Sequence, residues 1–181
     1  DLASQMVNFV YLIGDRVTRE TIIVDPAYAV SELMDIAKQD DMNVVGALAT
    51  HYHADHVGGS MMGFNIEGAS TLLQLADIPI HVQTDEAPWI QRTTGVATDS
   101  LVLHQSGDKV AVGEIEINLL HTPGHTPGSQ CFLVENMLIA GDTLFLEGCG
   151  RTDLPGSNPE QMFESLQLLS KLDDDVIVYP G

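Results

Sequence analysis

Residues 44–56 read Val-Val-Gly-Ala-Leu-Ala-Thr-His-Tyr-His-Ala-Asp-His, an apolar run followed closely by three histidines and an aspartate. The apolar part predicts a buried strand, and the polar residues follow its carboxyl end. Imidazole nitrogens and carboxylate oxygens are the donors that zinc and iron(II) accept in hydrolytic and oxidative sites. The segment therefore predicts a metal site that includes His51, His53, Asp55 and His56.

Two further segments place metal-binding residue types after predicted strands. His125 lies in the loop Thr-Pro-Gly-His-Thr-Pro-Gly (122–128), where proline and glycine on both sides predict a rigid turn that aims the imidazole. Asp142 follows the apolar run 137–140, and a carboxylate has little reason to lie there unless it is paired or binds a metal. We therefore predict that His125 and Asp142 join the same site, with Asp142 as a bridge between two metal ions.

The chain repeats one order of predicted elements. Each half contains two β-rich runs, a stretch with helical periodicity and a β-branched strand: 8–13, 21–24, 30–40 and 44–49, then 130–134, 137–140, 159–171 and 176–179. This internal duplication predicts an α+β fold, a four-layer αβ/βα sandwich with helices outside two facing sheets and the site at the strand ends. Between the halves, only a helix near 71–76, a strand at 80–83 and a Gly- and Thr-rich loop are predicted.

Charge limits the partners. The chain of 181 residues has 7 Lys and Arg against 26 Asp and Glu, a formal net charge of −19. Such a surface repels phosphate backbones, so we expect no nucleic-acid partner, and nuclease activity is disfavoured. The length is that of one domain, which we assign to residues 1–181. Because the chain lacks an initiator Met and stops directly after a strand, we expect it to be cut at both ends.

Cysteine content and hydropathy indicate the compartment. Cys131 and Cys149 fit no disulfide framework, which favours a reducing environment. No apolar run approaches the length of a membrane span, and no signal-peptide pattern opens the chain. We expect a cytoplasmic protein without a membrane partner; the oligomeric state is left open.

The quoted segments resemble the metallo-β-lactamase superfamily. The resemblance rests on His51-x-His53-x-Asp55-His56, the Pro-Gly-His loop and Gly-Asp-Thr at 141–143, and it spans nearly the whole chain. Residues 141–151, Gly-Asp-Thr-Leu-Phe-Leu-Glu-Gly-Cys-Gly-Arg, are similar to the glyoxalase II and persulfide dioxygenase branch. The continuation Thr-Asp-Leu-Pro-Gly at 152–156 departs from typical glyoxalase II and looks more like a broad group of uncharacterised bacterial hydrolases.

The resemblance implies two divalent metal ions, zinc first, with iron or manganese as alternatives. It assigns His51, His53 and His125 to the first ion, and Asp55 and His56 to the second, with Asp142 shared. Family members complete the second site with a histidine after the last strand. We expect that residue just beyond Gly181, because the internal duplication puts Gly181 where the first half is about to deliver His51.

Other residues receive weaker predictions. The resemblance implies that Arg151 helps to hold glutathione, and few other cations are available, so we predict that it binds an anionic part of the substrate; a salt bridge to Asp153 or Glu147 is the alternative. Nothing beside Cys149 indicates an activated thiolate. The remaining candidates are His121 as a supporting residue, His81 and His104 as structural or surface residues, and Met61, Met62 and Phe64 as core or pocket lining.

Together these features predict metal-assisted hydrolysis of a thioester or related small acyl compound, such as an anionic glutathione conjugate. Asp55 would orient the attacking water and accept its proton. A thiolate leaves without a general acid more easily than an amine, which disfavours a β-lactamase; a lactonase is also less favoured. One alternative is a mononuclear iron persulfide dioxygenase, for which the resemblance implies His51, His125 and Asp142 as the iron ligands. Another is a metal-free binding domain, which the complete set of ligand-type residues disfavours.

Overall fold

The computed structural model describes residues 7–181, which form fourteen strands and five α-helices. The strands are β1 (Tyr11–Asp15), β2 (Glu20–Val24), β3 (Asn43–Leu48), β4 (Gly59–Met61), β5 (Phe64–Ile66), β6 (Ile80–Gln83), β7 (Leu101–His104), β8 (Lys109–Val112), β9 (Ile115–His121), β10 (Gln130–Val134), β11 (Met137–Gly141), β12 (Leu144–Phe145), β13 (Gly148–Cys149) and β14 (Ile177–Pro180). The helices are α1 (Val30–Gln39), α2 (Ala54–Val57), α3 (Ala69–Leu75), α4 (Ala87–Thr94) and α5 (Pro159–Leu169).

Two five-stranded sheets contain most of these strands, in the orders β1-β2-β3-β6-β7 and β14-β11-β10-β9-β8. In the first, β1 and β2 are antiparallel and β2 and β3 are parallel, with α1 between them in the chain. In the second, β10 and β11 are antiparallel and β11 and β14 are parallel, with α5 between them. The predicted duplication is therefore confirmed at the level of strand pairing.

The apolar side chains separate into layers because successive strand residues point to opposite faces. Ile22, Val24 and Leu48 pack with residues of the second sheet such as Phe132, and this cluster fills the space between the sheets. Ile23 faces the other way and packs with residues of α1, α3 and α4. On the far side, residues of β10 and β11 pack against α5. The predicted α+β fold with helices outside two facing sheets is confirmed.

The structure corrects three element predictions. The first strand begins at Tyr11 rather than at residue 8, and Gly14 and Asp15 belong to it instead of to a turn. The predicted Gly- and Thr-rich loop contains α4, which sequence periodicity missed because it is only eight residues long and ends in two threonines before Gly95. β7 and β8 were also missed, since both are short edge strands with several exposed residues.

The longest helix of the described residues, α5, has eleven residues. A bilayer crossing needs about twenty apolar residues in a helix, and no helix within residues 7–181 is long and apolar enough to form one.

Candidate metal centre

Three segments that follow strands meet at one edge of the sandwich. Residues 51–56 follow β3 and form the first ligand loop, which includes α2. Residues 122–128 connect β9 to β10 and form the second ligand loop, and Asp142 follows β11 directly. All six residues predicted to bind metal lie together here: His51, His53, Asp55, His56, His125 and Asp142.

Three imidazole nitrogens of this group converge on one point. Nδ1 of His53 lies 3.1 Å from Nε2 of His51 and 3.0 Å from Nε2 of His125. Nitrogen atoms that share a tetrahedral zinc ion, each bound at about 2.0–2.1 Å, are separated by about 3.3 Å. The spacing and the chemistry of the three donors therefore fit one shared metal ion.

Neighbouring groups decide which nitrogen of each ring faces this point. Nδ1 of His125 donates to the backbone oxygen of Arg151 at 2.8 Å, which leaves Nε2 free. The hydroxyl of Thr50 donates to Asp25 at 2.6 Å and lies 3.0 Å from Nδ1 of His51. The proton of this hydroxyl is used in the bond to Asp25, so the hydroxyl can only accept from the imidazole. Nδ1 of His51 therefore carries the ring proton, and Nε2 of His51 is the atom available to bind a metal ion.

His51 and His53 are both kept in the neutral form by their surroundings. Burial and then the neighbouring imidazoles keep the pKa of His51 well below its usual value. Burial and then the charge of His125 lower the pKa of His53 to about 4. Neutral imidazole is the form that binds a metal ion, so these residues need not lose a proton at neutral pH.

A second group of donors lies beside the first. Nε2 of His56 is 3.3 Å from Oδ1 of Asp142 and 3.8 Å from Oδ2 of Asp55. Oδ2 of Asp142 is in turn 3.6 Å from Nε2 of His125. Asp142 therefore lies between the two groups, where a bridging ligand has to be. Burial opposes its charge, but the hydrogen bond with His56 and the nearby imidazoles lower the pKa of Asp142 overall.

Asp25 supports the second group and was not predicted as a site residue. Its Oδ2 accepts from Nδ1 of His56 at 2.8 Å, and its Oδ1 accepts from the backbone N–H of Thr50 at 2.7 Å. Asp25 is close enough to His51 and His56 to bind a metal ion together with them. Both of its oxygens are already hydrogen-bonded, so we infer that Asp25 orients His56 instead of binding the metal ion. One feature of the sequence could have predicted Asp25: like Asp142, it is a carboxylate that directly follows an apolar strand.

Asn8 also reaches the second group. Its Nδ2 donates to Oδ2 of Asp55 at 2.9 Å and to the backbone oxygen of Asp55 at 3.2 Å, and it lies 3.1 Å from Nε2 of His56. Asn8 itself lies outside β1, which begins at Tyr11. No pattern in the sequence pointed to Asn8, because its contacts are 47 and 48 residues away along the chain.

Glu86 is the third residue that the sequence did not reveal. It precedes α4, is only 1% exposed, and accepts three hydrogen bonds from the two ligand loops. Burial raises its pKa to about 7, although these hydrogen bonds act in the opposite direction. An acidic residue beside an exposed Asp85 at the start of a short helix gives no sign of burial in the sequence.

The other predicted residues have separate surroundings. The guanidinium of Arg151 forms two hydrogen bonds of 2.9 Å with Asp153, and its side chain is 68% exposed. Its role in binding substrate stays a prediction, and the alternative salt bridge to Asp153 is present. His121 supports the second ligand loop, since its Nε2 lies 3.0 Å from the backbone oxygen of Pro127. His81 and His104 contact each other at 2.8 Å.

Met61, Met62 and Phe64 form the β4–β5 hairpin after the first ligand loop. Met61 packs partly against a small buried cluster, whereas Met62 and Phe64 are exposed. Both cysteines are free: Cys149 is exposed, and burial raises the pKa of Cys131 to about 11. Cys131 is therefore an inert core residue.

An αβ/βα sandwich with a cluster of histidines and carboxylates at its strand ends defines a class of metal-dependent enzymes, and the donor set fits divalent metal ions. The family model of the metallo-beta-lactamase superfamily matches residues 5–181. The chain belongs to this superfamily, as the resemblance of its sequence implied. It is an enzyme of the hydrolase or dioxygenase type.

Three relatives show the range within the superfamily. A probable polyketide biosynthesis zinc-dependent hydrolase, BaeB of Bacillus velezensis, is 34% identical over 96% of this chain and 72% of its own length. The mitochondrial persulfide dioxygenase ETHE1 of Homo sapiens is 29% identical over 96% of this chain and 63% of its own length. The crystal structure of ETHE1 from Myxococcus xanthus matches 98% of this chain and 72% of that one, with a TM-score of 0.81 and 29% identity.

Proposed function

We propose that the chain is a metal-dependent hydrolase that acts on a thioester or a related small acyl compound, in the manner of glyoxalase II. The observation that carries the proposal is the presence of two adjacent donor groups. The imidazoles of His51, His53 and His125 form the first, and Asp55, His56 and Asp142 form the second. Zinc is the proposed metal, with iron or manganese as alternatives; the description of BaeB as zinc-dependent supports this choice.

Bound divalent ions would activate a water molecule and polarise the substrate carbonyl. Asp55 is 8% exposed, and the Asn8 amide fixes the direction of its carboxylate. In the proposed reaction Asp55 orients the water and accepts its proton while the water oxygen bonds to the carbonyl carbon. The carbon–sulfur bond then breaks, the thiolate leaves with the electron pair, and the proton passes from Asp55 to the solvent or the thiolate.

A thioester suits this site because its leaving group needs little help. A thiol has a pKa of about 8.5, so its thiolate departs without a proton donor at neutral pH far more readily than an amine does. Cys131 is buried and burial raises the pKa of its thiol, and Cys149 is exposed, so neither is proposed as a nucleophile. The proposed substrate is a small anionic molecule, for which a glutathione conjugate is the first choice.

A mononuclear iron persulfide dioxygenase is the second candidate, and one observation favours it. The Asn8 amide lies within hydrogen-bonding distance of both Asp55 and His56, so a metal ion bound by these two residues would compete with Asn8. The 29% identity to human persulfide dioxygenase supports the same candidate. Here His51, His125 and Asp142 would hold a single iron ion, as two histidines and one carboxylate do in many iron oxygenases.

Metal analysis combined with two assays separates these candidates. The proposal would be supported by about two zinc ions per chain together with hydrolysis of glutathione thioesters, measured as the release of free thiol. About one iron ion per chain together with oxygen consumption on glutathione persulfide would support the dioxygenase. Protein that holds zinc but hydrolyses no member of a thioester panel would contradict the proposed substrate class.

A further inference from the structure

The two ligand loops are joined by a side chain that belongs to neither. Oε1 of Glu86 accepts from the backbone N–H of Tyr52 at 2.7 Å, and Tyr52 stands between His51 and His53 in the first ligand loop. The same oxygen accepts from the hydroxyl of Thr126 at 2.8 Å, and Thr126 follows His125 in the second ligand loop. Oε2 accepts from the backbone N–H of Gly128 at 2.7 Å.

We propose that Glu86 is a positioning residue that sets the geometry of the first metal site by fixing both ligand loops to one carboxylate. The three histidines of that site come from loops that are far apart in the sequence, yet their nitrogens must meet within about 0.5 Å of the productive arrangement. The inference rests on the proposed first metal site and does not depend on the choice of substrate.

The environment of Glu86 argues that these bonds have a specific role. A carboxylate that is 1% exposed is expensive to bury unless its oxygens are hydrogen-bonded, and here every partner described for them belongs to a ligand loop. The backbone of Glu86 is fixed as well, because its oxygen accepts from the N–H groups of Trp89 and Ile90 at the start of α4. The start of α4 therefore fixes the backbone of Glu86, and the carboxylate of Glu86 in turn binds both ligand loops.

The second ligand loop is shaped to approach Glu86. A side chain added at Gly128 would bring its Cβ to 2.5 Å from the backbone nitrogen of Glu86 and to 2.6 Å from Oε2. Real Cβ atoms do not come this close to other heavy atoms. The loop can therefore donate its Gly128 N–H to the carboxylate only because glycine stands at this position.

The second group of donors has supporting partners other than Glu86. His56 is oriented by Asp25, and Asp55 is bonded to Asn8. Loss of the Glu86 carboxylate should therefore weaken the first site and leave the second largely unchanged. A residue that only stabilises the fold would weaken both sites together.

The test measures metal affinity of the metal-free protein by zinc titration against a chromophoric chelator, with the visible spectrum of the cobalt-substituted protein as a second readout. Glu86→Ala should weaken the tighter binding step by about 10- to 100-fold, as removal of groups that orient metal ligands commonly does. Glu86→Gln should be intermediate, since its carbonyl oxygen can still accept from Tyr52 while its amide faces the Gly128 N–H. The matched control is Asp85→Ala, because Asp85 is the exposed acidic neighbour.

A double-mutant cycle with Gly128→Ala tests the link from its other end. If both substitutions break one contact, their effects on zinc affinity should be strongly non-additive. Wild-type affinity and an unchanged cobalt spectrum in Glu86→Ala would overturn the inference, as would an equal weakening of both binding steps. If Glu86→Ala does not fold, a folded Glu86→Gln variant with wild-type affinity decides against it in the same way. Wild-type protein that binds no metal would instead refute the proposed metal site itself.

Discussion

Nδ1 of His56 donates to Oδ2 of Asp25 across 2.8 Å, in a part of the molecule where both side chains are almost completely buried. Asp25 follows β2 and His56 lies in α2, so the bond joins two strand-end segments that are 31 residues apart. Burial by itself opposes a charged imidazole, but the hydrogen bonds to Asp142 and Asp25 raise the pKa of His56 well above its usual value. The bond also leaves Nε2 of His56 as the atom that faces Asp142.

Asp25→Asn should weaken the second metal site more than the first. An amide side chain accepts a weaker hydrogen bond and can turn its NH2 group toward His56, so the ring loses its fixed orientation. We expect a loss of about 10- to 100-fold in affinity for the second ion. Zinc titration of the metal-free variant measures it. Asp15→Asn is the matched control, because Asp15 is another buried carboxylate that accepts backbone N–H groups, from Val17 and Glu114. Equal loss in both variants would contradict the prediction.

His53→Ala distinguishes the two candidate functions. In the hydrolase the variant should lose at least one metal ion per chain, because Nδ1 of His53 is one of three converging nitrogens. In the dioxygenase it should keep its single iron. Asp142→Ala should lower metal content in both cases. Elemental analysis of purified protein gives the counts, and His104→Ala is the control histidine substitution. Unchanged metal content in both His53→Ala and Asp142→Ala would refute the proposed ligand set.

Arg151→Ala should raise KM for a glutathione thioester, by about tenfold, with kcat nearly unchanged. A uniform binding contact affects the ground state and the transition state alike. Because the guanidinium is bonded to Asp153, Asp153→Ala provides the matched comparison. Release of Arg151 from Asp153 should leave KM equal or lower. A collapse of kcat in Arg151→Ala, or identical kinetics in the two variants, would count against substrate binding.

A histidine added after Gly181 should strengthen the second metal site. The N–H of Gly181 donates to the oxygen of Gly141 at 3.0 Å, and a Cβ at Gly181 would lie 2.8 Å from Oδ1 of Asp142. A residue added after Gly181 would therefore begin close to Asp142. Zinc titration should show tighter binding of the second ion than in the 181-residue chain. An added alanine is the control, and equal affinity in the two extended chains would contradict the prediction.

His81 should make the fold sensitive to acid without involving the metal site. Burial and then the charge of His104 lower its pKa from 6.5 to about 4. Between these pH values the unfolded chain binds a proton that the folded state does not, so the free energy of unfolding falls as the pH falls. His81→Gln should flatten this part of the pH profile, measured by urea denaturation of metal-free protein. Parallel profiles for wild type and variant would contradict the assignment.

Sequence patterns predicted the repeated elements well because the responsible interactions are local. The apolar, β-branched runs of β2 and β3 and the helical periodicity of α1 and α5 are visible within short windows, and the duplicated pairing of β1–β3 and β10–β14 follows from them. α4 was missed because it is too short to show a clear period. The convergence of the six donor residues was expected from their positions after strands, since strand ends meet at one edge of a sandwich.

The residues that support the donors depended on tertiary structure. Asn8, Asp25 and Glu86 act through hydrogen bonds to residues that are 25 to 48 positions away in the chain. A carboxylate or an amide looks the same in a sequence whether water or a buried N–H group satisfies it. The sequence alone therefore predicted the repeated elements of the two sheets, the family and the donor set. Only the folded molecule decided which nitrogen each histidine presents, because that depends on the partner that burial brings to the other nitrogen.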